Sequence, residues 1–355
     1  MAMTVEEPVA GTGPALERRR LSDRAAATTG RGRVWLRLTT VIVGCLVIFA
    51  FAQSSTPAIK YAVVLSVIYA IAILGNNAIL GLLGEMNLGS GVSMALGAYA
   101  FCYLTNHDMS SGLAGVAAVA FATVVAMLVA IPTTRLQGIF TALATFALAY
   151  AIPTLAIYLK DYTGGDEGTP APYDVALFGQ LVSGSTTGML VTALLAFAML
   201  GALSLLMLNS APGRAALVIG EAELAGVTSG YNPKLIKVLV WTWAGFVGGI
   251  AGVLYALAVG FIGPTGFGFM LGVWFLVGGV VAGPRSVWGA LLGGLFVGIL
   301  PVEIQSLVPA TGTSIVFGAI LLLALLAGGN GVAEWLERMG LLVAGRLGWR
   351  KKVTA

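Results

Sequence analysis

The one histidine of the chain, His107, stands beside Asp108 in a short polar stretch between apolar runs. With no second imidazole, thiolate or carboxylate at ligand spacing, it reads as a solvated loop residue rather than a metal ligand or general base. Cys45 and Cys102 lie in separate apolar segments and form no redox or ligand motif, so they read as buried spectators. Neither a Gly-x-x-x-x-Gly-Lys-Ser/Thr phosphate loop nor a His-Glu-x-x-His pair occurs. That removes ATP hydrolysis and metalloprotease chemistry from this chain and leaves no catalytic site to expect. Two acids remain. Glu85 and Glu303 fall near the ends of apolar runs, and an ionised side chain inside a bilayer costs about 2.5–3.5 kcal/mol, so each serves as an interfacial anchor or as a gating or solute-contacting group. No series of acids or histidines crosses the apolar segments, which argues against proton coupling; sodium coupling through backbone carbonyls stays open.

The elements that hold these groups follow from composition. Of the 355 residues 58% are hydrophobic and 10% charged, and mean hydropathy is +0.95, whereas a soluble domain carries about 25% charged residues. The apolar residues fall in runs of roughly 20, the length at which a helix rising about 1.5 Å per residue crosses about 30 Å of hydrocarbon. The predicted fold class is all-α: a polytopic transmembrane helical bundle. Ten apolar segments lie near 35–52, 59–81, 87–104, 112–131, 138–159, 188–208, 235–259, 268–283, 286–307 and 312–328. The third, eighth and ninth are short or Gly-rich and read as full crossings or as broken, re-entrant ones, giving eight to ten spans. Among the 49 glycines, Gly245 and Gly249, Gly248 and Gly252, Gly279 and Gly283, Gly289 and Gly293, and Gly294 and Gly298 recur four apart on single helix faces. Such faces suit close helix packing, and also sliding.

Residues 1–33 are basic, polar and without apolar periodicity, so they read as a disordered cytoplasmic tail rather than a cleaved signal. A transmembrane domain follows over 34–330, and 331–355 form a second basic cytoplasmic tail. With the basic residues assigned to loops, 17 of the 19 Lys and Arg fall on one side, leaving Lys60 and Lys160 on the other. The asymmetry predicts an even number of spans with both termini cytoplasmic. Two loops are long: an external one over 160–187 and an internal one over 209–234. They suit a protein with a partner on each face, or reflect loop-length variation alone. The internal loop opens with Pro212-Gly213, continues as a short mixed helix and closes at Gly230. Its small residues Ala222, Ala225 and Gly226 favour insertion into a protein groove over a lipid surface.

Four blocks resemble the branched-chain amino acid permease family of ATP-binding-cassette importers, in the longer of its two permease types. Gly84-Glu-Met-Asn-Leu-Gly89 through Leu96-Gly-Ala-Tyr99 is similar to the family's Gly-x-x-Ser-Leu-Gly and Gly-Ala-Tyr signature. Arg135-Leu-Gln-Gly-Ile-Phe-Thr-Ala-Leu-Ala-Thr-Phe-Ala147 resembles its Arg-Leu-Arg-Gly-Ile-Tyr-Phe-Ala-Leu-x-Thr-Leu-Ala stretch. Thr163-Gly-Gly-Asp-Glu-Gly168 resembles its Thr-Gly-Gly-x-x-Gly loop. The fourth block comprises Gly213-Arg214, Glu223-Leu-Ala-Gly226, Gly230, Lys237, Ala251-Gly-Val-Leu-Tyr255, Gly260-Phe-Ile-Gly-Pro264 and Ser286-Val-Trp-Gly-Ala290.

The resemblance implies a permease subunit in a bacterial inner membrane. It would move a branched-chain amino acid, or a related amino acid, amide, urea or organic acid, by alternating access. It further implies two separate ATPase subunits that bind ATP and magnesium, a second, paralogous permease subunit, an extracytoplasmic solute-binding protein, no cofactor in this chain and no nucleic acid. Gly213, Arg214, Gly220, Glu221, Glu223, Ala225, Gly226 and Gly230 become the ATPase-coupling candidates, and Thr163, Gly164, Gly165, Asp166 and Gly168 the candidates for binding-protein docking. Ser90-Gly-Val-Ser-Met94 stands where the family commonly has His-Ala-Ala-Phe-Phe, which makes Asn87, Ser90, Ser93 and Met94 the candidates for the translocation path. The rival reading is an ion-coupled secondary transporter or channel acting without an ATPase.

Overall fold

A computed structural model of the chain describes residues 39–307, except 137, 173–175, 178–179 and 182–184. The expected N-terminal tail, the tenth segment and the C-terminal tail lie outside the described residues, and so does the side chain of Glu303.

The described chain is helical, as composition predicts. Helix α1 (Thr39–Ser54) precedes α2 (Pro57–Ala78), which runs on through a π turn, Ile79–Leu83. Then come α3 (Ser90–Asn106), α4 (Ser111–Thr133) and α5 (Ile139–Tyr158). A single turn α6 (Lys160–Thr163) leads into the external loop, and α7 (Thr186–Asn209) leads back. The internal loop holds α8 (Ala211–Glu221) and α9 (Glu223–Thr228). Helices α10 (Pro233–Val259), α11 (Phe269–Ala282) and α12 (Val287–Leu307) complete the described chain. Each expected segment from 35–52 to 286–307 corresponds to a helix. Six helical stretches among the described residues are long and apolar enough to span a bilayer, and α1 and the apolar part of α12 are shorter.

Helix α2 is the axis of the bundle. Its apolar residues run all round rather than along one stripe, the mark of a helix surrounded by protein, and α7, α10, α11 and α12 pack about it. Helices α3 and α4 add a layer on α10, while α5 stands at the margin, held mainly by the 3-10 turn Pro264–Phe267 and by α3.

Glycine faces set the spacing between these helices. On α10, Gly245 and Gly249 meet Ala126 and Ala122 of α4, while Gly248 and Gly252 meet Ser93 and Met94 of α3. One helix thus presents two small-residue faces to two neighbours. Gly294 and Gly298 of α12 lie against Ser66 of α2 in the same way. Where apolar contact with lipid is as good as apolar contact with protein, such approaches supply the dispersion energy that holds helices together.

The external loop is anchored by a two-stranded ladder: β1 (Thr169–Pro170) pairs antiparallel with β4 (Phe261–Ile262), just after α10. A second ladder joins β2 (Ala176–Leu177) to β3 (Gln180–Leu181).

A side chain at Gly252 would drive into the Met94 carbonyl, whereas nothing lies within 4 Å of a Cβ added at Gly112. Gly252→Leu is expected to destabilise the bundle by about 1–3 kcal/mol through overpacking. Gly112→Ala should leave stability unchanged or raise it slightly, and thermal unfolding in detergent distinguishes the two.

Candidate functional site

Between the π turn and α3 the chain leaves helical geometry over 84–89. Gly84 turns the corner at φ +66°, a conformation in which a Cβ is strained. The backbone groups freed here find partners. Gly84 N–H donates to the Leu80 carbonyl at 3.1 Å, Leu88 N–H to Thr145 Oγ1 of α5 at 3.1 Å and Gly89 N–H to Asn87 Oδ1 at 2.8 Å. Asn87 is therefore a turn-former whose amide oxygen closes its own loop.

Glu85 points from this connection into α10. Lys237 Nζ lies 3.2 Å from Glu85 Oε1 and 3.2 Å from Glu223 Oε2, and Trp241 Nε1–H donates to Glu85 Oε2 at 3.2 Å. Lys237 and Trp241 are one helical turn apart on one face of α10, so both reach the same carboxylate. The Lys237 and Glu85 side chains are 7% and 8% exposed, while that of Glu223 is 40% exposed. One lysine thus joins the α2–α3 connection, the helix α10 and the short helix α9. Glu85 is more than an interfacial anchor: it is the buried centre of a charge cluster.

Above this cluster lies a narrow cleft enclosed by α2, α3, α4, α5 and α10, with Asn76, Ser90, Ser93, Thr145 and the Trp241 ring among its lining residues. Its free volume is about 30 Å³, room for one or two waters and too little for an amino acid. Asn76 is 1% exposed, and neither its Oδ1 nor its Nδ2 has a hydrogen-bond partner; the Ser90 hydroxyl is likewise buried and unpartnered. Three of the four residues expected to line a path, Asn87, Ser90 and Ser93, are on this cleft. Met94 is not: it is fully buried in the main apolar core, since neighbours on a helix diverge by about 100°. The sequence reading passed over Asn76. The available signal was an Asn-Asn pair within an otherwise apolar membrane helix.

The internal loop is a compact helical hairpin. Ser210 Oγ caps α8 by accepting from Gly213 N–H at 3.3 Å, and Asn232 Oδ1 caps α10, with Pro233 in its first turn. Ala215, Ala216 and Ile219 of α8 join Ile79, Leu82, Ile236, Val240 and Trp241 in a small apolar cluster of their own, so the hairpin is packed on the π turn and α10 rather than hanging free. Of the expected coupling glycines, Gly213 and Gly226 are buried, whereas Gly220 and Gly230 are exposed. A Cβ at Gly213 would meet the Met207 carbonyl, at Gly220 the Leu82 carbonyl and at Gly226 the Ile219 side chain, while Gly230 ends α9 at φ +83°. Within this chain, Gly226 packs on the hairpin's own Ile219. Arg214 donates to the Asn209 carbonyl, Glu221 lies 3.8 Å from Arg285 at the surface, and Glu223 belongs to the charge cluster. The hairpin's exposed side chains include an apolar set, Leu224 (76% exposed), Val227 and Tyr231, with Ala225 beside them, among polar ones such as Glu221 and Thr228.

In the external loop the Thr-Gly-Gly-x-x-Gly pattern is explained by the backbone. Gly164, Gly165 and Gly168 all have positive φ, and Thr163 Oγ1 donates to the Leu159 carbonyl at 2.9 Å and accepts from Gly165 N–H at 3.3 Å. Asn106 Nδ2 of α3 donates to Thr169 Oγ1 at 3.0 Å, tying the loop to the bundle. Asp166, with Glu167, is left exposed at the tip.

A family model described as the permease component of the branched-chain amino acid transport system matches residues 58–325. The high-affinity branched-chain amino acid transport system permease proteins LivM of Salmonella typhimurium and Escherichia coli are each 29% identical to this chain over 256 residues, covering 64% of it and 59% of theirs. The chain therefore spans about 59% of the length of those LivM relatives. LivH of Escherichia coli, named for the same kind of system, is 27% identical over 280 residues, 74% of this chain and 90% of LivH. No solved structure matches.

Removing one member of a buried ion pair strands its partner, at a cost of about 3–5 kcal/mol, whereas an exposed pair is worth about 0–1 kcal/mol. Lys237→Met should therefore lower the thermal unfolding midpoint sharply. Arg285→Ala should lower it far less, losing the exposed Glu221 contact and the bond from its Nε to the Gly81 carbonyl.

Proposed function

The chain belongs to the branched-chain amino acid transport system permease family, and from that premise we propose that it is the transmembrane permease subunit of an ATP-driven importer. It is a multi-pass membrane protein, and in this reading its membrane is the bacterial inner membrane, which its family membership supports. Its partners in this reading are two ATPase subunits that bind ATP and magnesium, a second permease subunit and an external solute-binding protein. The chain's likeness to both LivM and LivH supports a pair of related permeases. In this reading both termini lie on the cytoplasmic side, as do α8 and α9, which the distribution of Lys and Arg along the sequence supports.

The observation that carries this reading is the packed α8–α9 hairpin with its outward apolar face. A contiguous apolar surface on a polar loop marks an interaction site, and Leu224, Val227 and Tyr231 offer side chains of the kind that fill a partner's groove. Moving a two-state bundle from about 1:99 to 99:1 takes about 5.5 kcal/mol of differential interaction. A hairpin fixed by its own apolar cluster transmits such a bias to α2 and α10. The cleft supports a small, polar cargo: amide and hydroxyl groups from Asn76, Ser90 and Ser93 offer donors and acceptors without net charge, suited to an amino acid backbone or an amide. In the conformation described here the cleft is narrow, with room for water alone.

The reading is tested by reconstituting the chain with its ATPases and binding protein in vesicles. ATP-dependent solute uptake is expected, and uptake by the chain alone without ATP would overturn it. Leu224→Asp should abolish co-purification of the ATPase subunits with the unfolding midpoint unchanged, because Leu224 is 76% exposed in the isolated chain. An unpartnered buried amide costs about 1–3 kcal/mol. Asn76→Leu should therefore hold or raise the unfolding midpoint while cutting uptake by about tenfold, the loss of one polar contact to the solute; a residue that merely filled space would not separate the two.

A further inference from the structure

The charge cluster and the cleft share a residue. The Trp241 ring lines the cleft on its α9 side, and its indole N–H is held at 3.2 Å by Glu85, which Lys237 neutralises at 3.2 Å. Lys237 in turn is held by Glu223 of α9 at 3.2 Å. We infer that this chain of contacts is a latch, in which Lys237 and Glu85 are positioning residues that make the location of α9 set the location of Trp241, the gate at that end of the cleft. The inference rests on the permease reading for its purpose and on the geometry for its mechanism.

Its two halves differ in strength. The Glu85–Lys237 contact is out of water, so separating it would strand a charge. The Glu223–Lys237 contact is part-exposed and screened, and it lies on the helix that bears the outward apolar face. A partner that displaces α9 therefore breaks the outer contact and leaves the inner one whole. Lys237, which sits on Glu85 Oε1 while the indole sits on Oε2, then shifts across both carboxylate oxygens, displaces the indole N–H from Oε2, and Trp241 is released. Neither side chain needs a proton transfer, since charge is only redistributed among fixed groups.

The latch is read by labelling from the α9 side. Ala72 lines the cleft one turn from Asn76 and is 2% exposed, so Ala72→Cys, in a chain with Cys45→Ala and Cys102→Ala, reports opening through its rate of reaction with a membrane-impermeant maleimide in vesicles of known sidedness. Glu223→Gln should raise the rate roughly fivefold, the worth of one part-exposed ion pair. Trp241→Phe keeps the ring but loses the donor, and should raise it about tenfold, the worth of a hydrogen bond to a charged group. Glu223→Asp, which restores the charge, should return the rate toward that of the parent. Unchanged labelling in both Glu223→Gln and Trp241→Phe would overturn the latch, as would equal acceleration from both sides of the membrane. Labelling needs no ATPase, so it decides the latch independently. Failure of the parent complex to take up solute with ATP would strike the permease reading instead.

Discussion

Backbone that leaves helical geometry inside a membrane protein frees amide and carbonyl groups that lipid cannot satisfy, and the connection over 84–89 does so at the centre of this bundle. Its solution organises the rest. Thr145 of α5 accepts from Leu88, the Asn87 side chain accepts from Gly89, and Arg285 Nε donates to the Gly81 carbonyl at 3.0 Å from the loop before α12. Gly272 of α11 and Gly220 of α8 approach the Leu88 and Leu82 carbonyls where any side chain would collide. One irregular stretch is thus braced by four separate elements, and a π turn next to it is the kind of distortion that recurs at functional sites.

Because the connection is held so completely, the charge it carries is held as well. Glu85 lies out of water with Lys237 and Trp241 as fixed partners. The same packing that brings α10 within reach of Glu85 comes from the glycine faces that let α3 and α4 close upon α10. Small residues and buried charge are two parts of one arrangement: without close approach the lysine would not reach, and without the pair a buried carboxylate would oppose the approach. The polar groups of the connection named above are paired, whereas Asn76 and Ser90 of the cleft are not, and neither are Asn77, Tyr99, Thr141, Ser204 and Trp243 outside it.

The helical class and the positions of the segments were legible in the sequence because each depends on short-range properties: run length and hydropathy. The surroundings of single residues were not. Gly226 suits a groove by its small size, and within this chain the atoms next to it are those of Ile219, while Gly220, named through the family resemblance, lies against the end of the π turn. Met94 belongs to the helix that lines the cleft, but its own side chain lies in the apolar core. In the external loop the glycines coincide with positive φ values, and Asp166 and Glu167 are exposed at its tip.

By itself the sequence determined a bundle of membrane helices with a compact segment on the basic side, since the hydrocarbon thickness and the distribution of Lys and Arg act on the chain residue by residue. Only the tertiary structure decided that Glu85, Glu223, Lys237 and Trp241 meet, and that Asn76 lines a narrow cleft. Glu85 and Trp241 are 156 positions apart in the chain, and no local period encodes such a meeting; it exists because α2, α3 and α10 are pressed together by contacts whose partners a linear reading does not reveal.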